Sequence, residues 1–568
     1  MSLFGSIQMG GSTLQAMQIG LQVVGNNIAN ANTPGYIREE AVFSPAPVQR
    51  VGGLVLGLGV QVDSIIQKID KFVQERLVGA KGDRANAEVQ EQAYRELETV
   101  LNALSGSVDL NTAITGFFNS VQEVVNDPSN AATRNLAVGK GVTLTELINN
   151  LNSRVSDIQA QLDQRVTTAA SEINDLTEQI RKLNVQIAST EGGNSNASEA
   201  GGLRVQRQAA VDRLSELISI HVSEQPSGGI SVAVGGDFLV FEGQRRSVTV
   251  DRSSQNGVAT GILRFSDTNG KVQTTGGEVG GLYAARDQIV GSFLNRLNDF
   301  AGTLAFEFNK AFSQGQGLVG FQNLTSVQAI HDSTAPLDAA GLAFMPVSGT
   351  FNVIVHSKNA DTTHTDRIDI SLDGLDGDTT FATLVQKLDA IDGISAKIAS
   401  TGALQITSDS ADTEFTFGGD TSGVLAALGL NTFFTGSTAG TIGVNAEIKG
   451  IDNAGKFAAS LNGIGNGGGN AERLAILMDQ PLGSGGDPSL ADLYNQLINE
   501  VTQGSSVSKS VAEGYRTFEG TLSAQQQAVS GVSIDEEAIK MLTMQRIFQA
   551  SARYIQTISD LLDMLVKI

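Results

Sequence analysis

At 568 residues, with 41% apolar and 17% charged side chains, the chain is too long for one hydrophobic core and has the composition of a folded, multidomain protein. A net charge of −22, with Arg245-Arg246 as the one adjacent basic pair, argues against nucleic-acid and membrane partners. The absence of cysteine removes disulfides, thiol catalysis and Cys-ligated zinc together.

The chain starts Met1-Ser2-Leu3-Phe4-Gly5 without a basic region or an uninterrupted apolar run behind it, so neither a Sec signal nor a membrane anchor is expected. Leu3, Ile7, Gly10, Leu14, Met17, Leu21, Val24 and Ile28 then step alternately by four and three, an a/d seam on one helix. Met541, Met544, Phe548, Ser551, Ile555, Ile558, Leu562 and Leu565 repeat the pattern at the other end. Each helix alone exposes a long apolar stripe. The two must bury it against each other, against neighbouring subunits, or both.

Residues 41–64 are punctuated by Pro and Gly and read as extended. Helix follows to residue 108, with Leu97, Leu101, Leu104 and Val108 in the same spacing. The longest signal runs from Leu144 through Ile148, Leu151, Val155, Ile158, Leu162, Val166, Ala169, Ile173, Leu176, Ile180 and Leu183 to Ile187, with a stutter at 158–166. It predicts a helical rod about 65 Å long. Residues 191–202 form a loop, and Val205–Ile220 reads as a returning helix. Alternation at Ile230, Val232, Val234, Val248 and Val250 predicts strands from His221 to about Thr275, with helix again from Leu282 to Phe312. Phe351, Val353, Val355, Ile368 and Ile370 alternate within a β-rich insert that carries one helix at 380–391. Ala471–Gln527 returns to helix.

The expected fold is therefore α+β and multidomain. Residues 1–40 and 530–568 form a terminal coiled-coil domain. Residues 41–220, 276–319 and 471–529 form a long α-helical rod or bundle. Residues 221–275 form a small β-rich region, 320–462 an inserted β-rich outer domain, and 463–470 a Gly-rich linker.

Chemistry-bearing motifs are weak. His356, Asp361, His364 and Asp366 lie on a strand–turn–strand of exposed composition and are read as a solvated turn. Asp373-Gly-Leu-Asp376-Gly-Asp378 lacks the ligand spacing and closing Glu of an EF-hand and is read as a hairpin turn. Gly463-x-Gly465-x-x-Gly468 has neither the strand before it nor the helix after it that a dinucleotide site needs. No catalytic, cofactor or metal residue is expected, and the chain is not read as an enzyme.

Gly25-Asn26-Asn27-Ile28-Ala29-Asn30-Ala31-Asn32-Thr33-Pro34-Gly35-Tyr36 lies where the first seam ends. Pro34 holds Thr33 out of the α region, and Pro-Gly fits the centre of a type II turn, so the helix stops and the chain turns. Asn26, Asn27 and Asn30 fall on neighbouring helix faces, where amides can reach adjacent helices. The run resembles the signature Asn-Asn-Ile-Ala-Asn-x-x-Thr-Pro-Gly-Tyr of the flagellar axial proteins, the rod, hook and hook-associated subunits. Gly531–Glu537 and Gln549–Ile555 resemble the same family's C-terminus. Asn126-Asp127-Pro128-Ser129 with Arg134, and Gly280–Asp287, are most similar to its hook-associated branch. The resemblance covers residues 1–315 and 424–568. Leu203–Gln208 departs from it, and 340–450 resembles a small β motif inserted in several of these proteins.

That resemblance implies a structural subunit at the junction of hook and filament, with a hook or distal-rod subunit as the alternative. It implies export by the flagellar type III system, with a cytoplasmic chaperone at the C-terminal helix. Outside the cell it implies self-assembly into a helical ring between the hook protein and a second hook-associated junction protein. The terminal helices would line an inner tube, with the rod of residues 86–220 outside it and the β domains in solvent. The expected assembly interface is Leu3, Ile7, Leu14, Met17, Leu21, Val24, Asn26, Asn27, Ile28, Asn30, Asn32, Thr33, Pro34, Gly35 and Tyr36, with Met541, Met544, Phe548, Ile555, Ile558, Leu562 and Leu565.

Overall fold

Leu3–Ala29, a run without a single charged residue, folds as one helix, α1. The computed structural model describes residues 3–51, 54–103, 109–192, 199–255, 258–465, 467–482 and 487–566. After the turn at Pro34 the chain forms β1 (Glu39–Pro45), β2 (Val48–Val51), β3 (Leu54–Gly57) and β4 (Val60–Gln67), with β1 antiparallel to β4 and β2 to β3. Then come α2 (Lys71–Ala103) and α3 (Leu110–Asn126), the latter capped by Asp109, whose carboxylate accepts from the Thr112 N–H. Asp127-Pro128 ends α3, and α4 (Ala131–Thr190) runs without proline for 60 residues. α5 (Gly201–Leu217) returns, followed by β5 (His221–Glu224), β6 (Ile230–Val234), β7 (Asp237–Phe241), β8 (Gln244–Arg245), β9 (Val248–Gln255) and β10 (Val258–Phe265). α6 (Gly277–Tyr283) passes through a π-helical turn at Ala284–Val290 into α7 (Gly291–Phe312).

The insert holds β11 (Asn323–Ala329), β12 (Gly349–Ser357), β13 (Thr362–Ile370), α8 (Phe381–Asp389), β14 (Ile394–Ile398), β15 (Ala403–Ser408), β16 (Thr413–Gly418) and α9 (Val424–Leu428). The pair β17 (Phe434–Thr435) and β18 (Gly443–Val444), then α10 (Gly469–Ala475), α11 (Leu490–Ser530) and α12 (Ile534–Val566), complete the chain. By its internal packing the chain divides into two compact units, Met1–Ala93 with Ala160–Arg286 and Ser506–Ile568, and Tyr94–Gln159 with Asp287–Ser505.

In the first unit the sheet β5-β6-β7-β8 and the β9–β10 hairpin lean on the second half of α4 through side-chain amides. Asn174 bonds both the N–H and the C=O of Val248, and Asn184 does the same for Ile230, closing strand ends that have no strand partner there. Arg286 is buried against Asp163 at 2.8 Å, and both bond Gly261 on β10. Arg204 bridges Glu191 and Glu224, and Arg207 reaches Asn184 and the Gly228 carbonyl. The stretch at 203–208, which departs from the family pattern, thus holds two arginines that fasten α5 to the end of α4.

In the second unit Phe117 of α3, Phe308 and Phe312 of α7, and Phe433, Phe434 and Phe457 form a buried aromatic core. Gly141 of α4 is small because a Cβ there would sit 2.6 Å from the Phe433 ring. The insert has its own core, from Phe321 to Leu430, between the sheets β11-β15-β14 and β13-β12-β16.

Six expectations change. The extended segment opens a β ribbon, so residues 41–67 are not part of the helical rod. The insert closes at Leu430 rather than 462, because Asn309 bonds the N–H groups of Phe433 and Phe434 and draws them into the helical core. Helix 471–527 breaks after Ala475, ahead of Pro481, so that α10 and α11 are separate helices. A helix does open directly after the Gly463 motif, and Gly463 and Gly465 take positive φ to reach it. The Asp373–Asp378 turn joins a strand to α8, with the Asp378 carboxylate accepting from the Asp373 and Gly374 N–H groups, so it is not a hairpin. In the rod, Thr177 rather than Leu176 occupies the buried seam. Leu104, Val108, residues 193–198 of the loop and Asn466 of the linker lie outside the described residues.

Candidate assembly interface

α1 and α12 pack antiparallel in one register. Gly10 faces Ile555, whose Cγ1 is 2.5 Å from where a Cβ would lie. Gly20 faces Met544 and Phe43, and Asn27 faces Glu537. The contact line therefore runs through Ser6, Gly10, Met17, Gly20, Val24 and Asn27. This is one position off the apolar series Leu3, Ile7, Leu14, Leu21 and Ile28, all of which stay partly exposed along one flank of the helix. Glycines at the contact let the two backbones approach, which displaces the large side chains to the side.

On another face of α1 the β ribbon closes over Met9, Ser12 and Thr13. Gly59 at the β3–β4 turn has φ +96°, and a Cβ on it would come within 2.8 Å of the Met9 carbonyl. On α12 the predicted seam loses part of its accessible surface at Met541, Met544, Phe548, Ile555 and Leu562, and most of it at Ile558, which is 9% exposed. Leu565 stays 64% exposed, beyond the reach of α1. A second apolar series, Ile539, Leu542, Ile547, Leu561 and Met564, is exposed on the opposite side of α12.

The Asn-rich motif splits by role. Asn27 has no exposed surface, and its amide is saturated. Its Nδ2 donates to the Glu39 carbonyl at 2.8 Å and to Glu537 Oε2 at 2.9 Å, while its Oδ1 accepts from the Tyr36 hydroxyl and the Glu39 N–H, both at 3.0 Å. Glu537 is equally buried and also bonds Lys540. Arg38 donates its N–H to the Ser530 carbonyl and its guanidinium to Glu536, pinning the other side of the turn. Burial first, then the charges of Glu39 and Glu537, push the Tyr36 hydroxyl up to about 12.

The Tyr36 N–H to Thr33 carbonyl bond of 3.1 Å and φ +75° at Gly35 make the type II turn that Pro34-Gly35 predicts. Asn30 bonds only its own helix and turn, and Asn26, Asn32, Thr33, Pro34 and Gly35 are exposed. The amide contacts to neighbouring helices expected of three asparagines thus belong to Asn27 alone. Residues 31–35 form one wall of an open groove of about 980 Å³ whose other walls include α2, α5 and α11.

Among the described residues no group of three or more His, Asp or Glu side chains could hold a metal, and no helix is long and apolar enough to cross a membrane. His356 bonds Thr363 and His364 bonds the Asp392 carbonyl, both on exposed surface.

Three family models match the chain. Residues 94–324 match the flagellar hook-associated protein FlgK helical domain, 7–36 the flagella basal body rod protein, and 525–568 the C-terminal domain of the flagellar basal body rod FlgEFG proteins. The chain is 26% identical to flagellar hook-associated protein 1 of Escherichia coli (strain K12) over 98% of both chains. It is 26% identical to the protein of that name in Bacillus subtilis (strain 168), over 100% of this chain and 98% of the other. The solved structure of the flagellar hook junction protein FlgK from Burkholderia pseudomallei aligns with 80% of this chain and 100% of that one, at 17% identity and a TM-score of 0.49. With the axial motif built around Asn27 and the helical-domain match beside it, these findings support the flagellar hook-associated protein 1 family, structural proteins of the bacterial flagellum, as the one this chain matches.

Proposed function

We propose that the protein is the subunit that joins hook to filament, with no catalytic step, and that copies associate through the apolar flanks which α1 and α12 leave uncovered. The observation that carries this is the offset at the α1–α12 contact. Small residues meet within the chain, while Leu3, Ile7, Leu14, Leu21 and Ile28 on one helix and Ile539, Leu542, Ile547, Leu561 and Met564 on the other remain accessible. Two such ridges, differently placed on one domain, suit a heterologous contact that repeats from copy to copy into a ring or helix. Apolar area of this extent gains free energy only when a neighbour removes it from water.

The placement at the hook tip, the hook protein and second junction protein on either side, type III export and a chaperone on α12 are part of this reading, and similarity to the family supports them. Long exposed apolar stripes on α12 agree with a helix that needs an escort before assembly. Immunogold labelling of isolated flagella tests the reading. Label confined to the hook–filament boundary is expected; label along the hook body or in the basal rod would assign the chain to the alternative, a hook or distal-rod subunit.

A further inference from the structure

The polar contact at one end of an otherwise apolar helix pair demands a reason, because a buried amide and a buried carboxylate cost more than two leucines of similar size. Every hydrogen-bonding position of the Asn27 amide is taken, two of them by Glu39, one by Tyr36 and one by Glu537. Its orientation is fixed as well, since a flipped amide would set its oxygen against the Glu39 carbonyl and the Glu537 carboxylate. Three of these bonds fix the flanks of the turn at residues 33–36, and the fourth reaches across to α12.

Two features set the register of this contact. Gly10 and Gly20 make room for Ile555 and Met544, and a shift by one heptad would bring Met17 or Leu3 to the place of Gly10, where even a Cβ lies 2.5 Å from Ile555. The polar pair is the second. One heptad in one direction sets Asn27 against Met544, and one heptad in the other sets Glu537 against Gly20. Either way an amide and a carboxylate are left buried without their partners.

We propose that Asn27 and Glu537 form a register key, through which the exposed Asn32–Gly35 turn, whose local bend Pro34-Gly35 sets, is held in its position on the domain only when α12 is docked in the one register that lets Glu537 reach Asn27. This rests on the reading that the terminal helices form the interface between copies, and it adds a condition: the surface a chain offers at this turn depends on its own two ends having paired correctly. Asn27 and Glu537 are positioning residues here. The residues that face outward are Asn32, Thr33, Pro34 and Gly35, at the wall of the groove they share with Gln208 of α5 and Gln527 of α11. Tyr36 and Arg38 transmit the state of α12 to that turn, the first through Asn27 and the second through Ser530 and Glu536.

The test uses the full chain with Glu537→Ala, Glu537→Gln and Leu21→Asp, each scored by amide exchange at Tyr36 and Glu39 and by filament attachment in cells lacking the native protein. Glu537→Gln keeps a carbonyl oxygen for the Asn27 N–H, and both readouts should stay as in the parent. Glu537→Ala should speed exchange at the two amides about tenfold or more and abolish attachment. A Glu537→Ala chain that keeps its protection, or one that loses it and still attaches filaments, overturns the proposal, as does a Glu537→Gln chain that loses both. Leu21→Asp leaves the key intact and should keep the turn protected while blocking attachment. If it attaches filaments normally, the reading of the terminal helices fails instead.

Discussion

Asn26, Asn27 and Asn30 are indistinguishable in the sequence, and the structure gives them three different tasks. Only Asn27 falls on the contact line with α12, and only a side chain there must satisfy every polar atom it has. Its partner Tyr36 makes this state measurable. The hydroxyl titrates at about 12 against an ordinary value of 10.0, so between those values the folded chain holds a proton that the unfolded chain has lost. The sign is therefore fixed: this contribution is complete below pH 10 and is lost as the pH rises towards 12. Tyr36→Phe should remove that alkaline component, and loss of the bond to Asn27 should cost about 0.5–1.5 kcal/mol at neutral pH. Paired denaturant titrations of parent and variant at pH 8 and pH 11 check it; an equal gap at both values would show that Tyr36 does not carry the shift. The turn itself was legible beforehand, because Pro34-Gly35 dictates local geometry. Asn27 was not, since its role comes from a residue about five hundred positions away. The same holds for Arg204 and Arg207, whose burial depends on the end of α4 and the start of the β region.

At the level of elements, periodicity located the long helices and the strands β6, β9, β12 and β13, missed α3, and placed half of the α1 seam: Gly10, Met17 and Val24 lie on the contact line, while Leu21 and Ile28 fall one position off it. The a/d rule looks for large apolar residues, whereas this contact is centred on Gly10 and Gly20. Glycine carries no hydrophobic signal, so a close approach between helices is invisible until the partner's Ile555 and Met544 are in place. The boundary of the insert failed for a related reason. Phe433 and Phe434 follow the insert's strands in sequence but pack with Phe117, Phe308 and Phe312. That difference can be tested by excision. The Asn431 side chain bonds the carbonyls of Ser313 and Gly315, so the points where the chain enters and leaves the insert lie side by side. Replacing residues 319–429 with a short Gly/Ser linker should leave thermal unfolding of the remaining chain and filament attachment close to the parent. Replacing 340–450 also removes both phenylalanines from the aromatic core, at about 3–5 kcal/mol each, and should unfold that unit. If the first excision unfolds as readily as the second, the insert is not a separate module.

For the molecule as a whole, the family could be read from its ends and its central helical stretch, while the division of the chain could not. The two compact units interleave segments from several regions, and α2, α4 and α11 each contribute residues to both. A sequence read from one end to the other favours domains made of consecutive segments and has no access to this. What the whole chain does with its surfaces follows from where apolar area is left over. Leu21 lies on the partly exposed flank of α1, beside the exposed Gln22. A carboxylate at Leu21 would lie in every copy-to-copy contact, at a cost of several kcal/mol in each if left unpaired. The cores around Phe308 and around Leu263 and Arg286 do not include it. The most direct measurement sets Leu21→Asp against Gln22→Asp, scoring thermal unfolding of the purified chain and filament attachment in cells together. Leu21→Asp should melt close to the parent yet fail to hold filaments, with flagellin lost to the medium, while Gln22→Asp behaves as the parent in both. Normal filaments on Leu21→Asp would show that the flank of α1 is not the surface through which copies join.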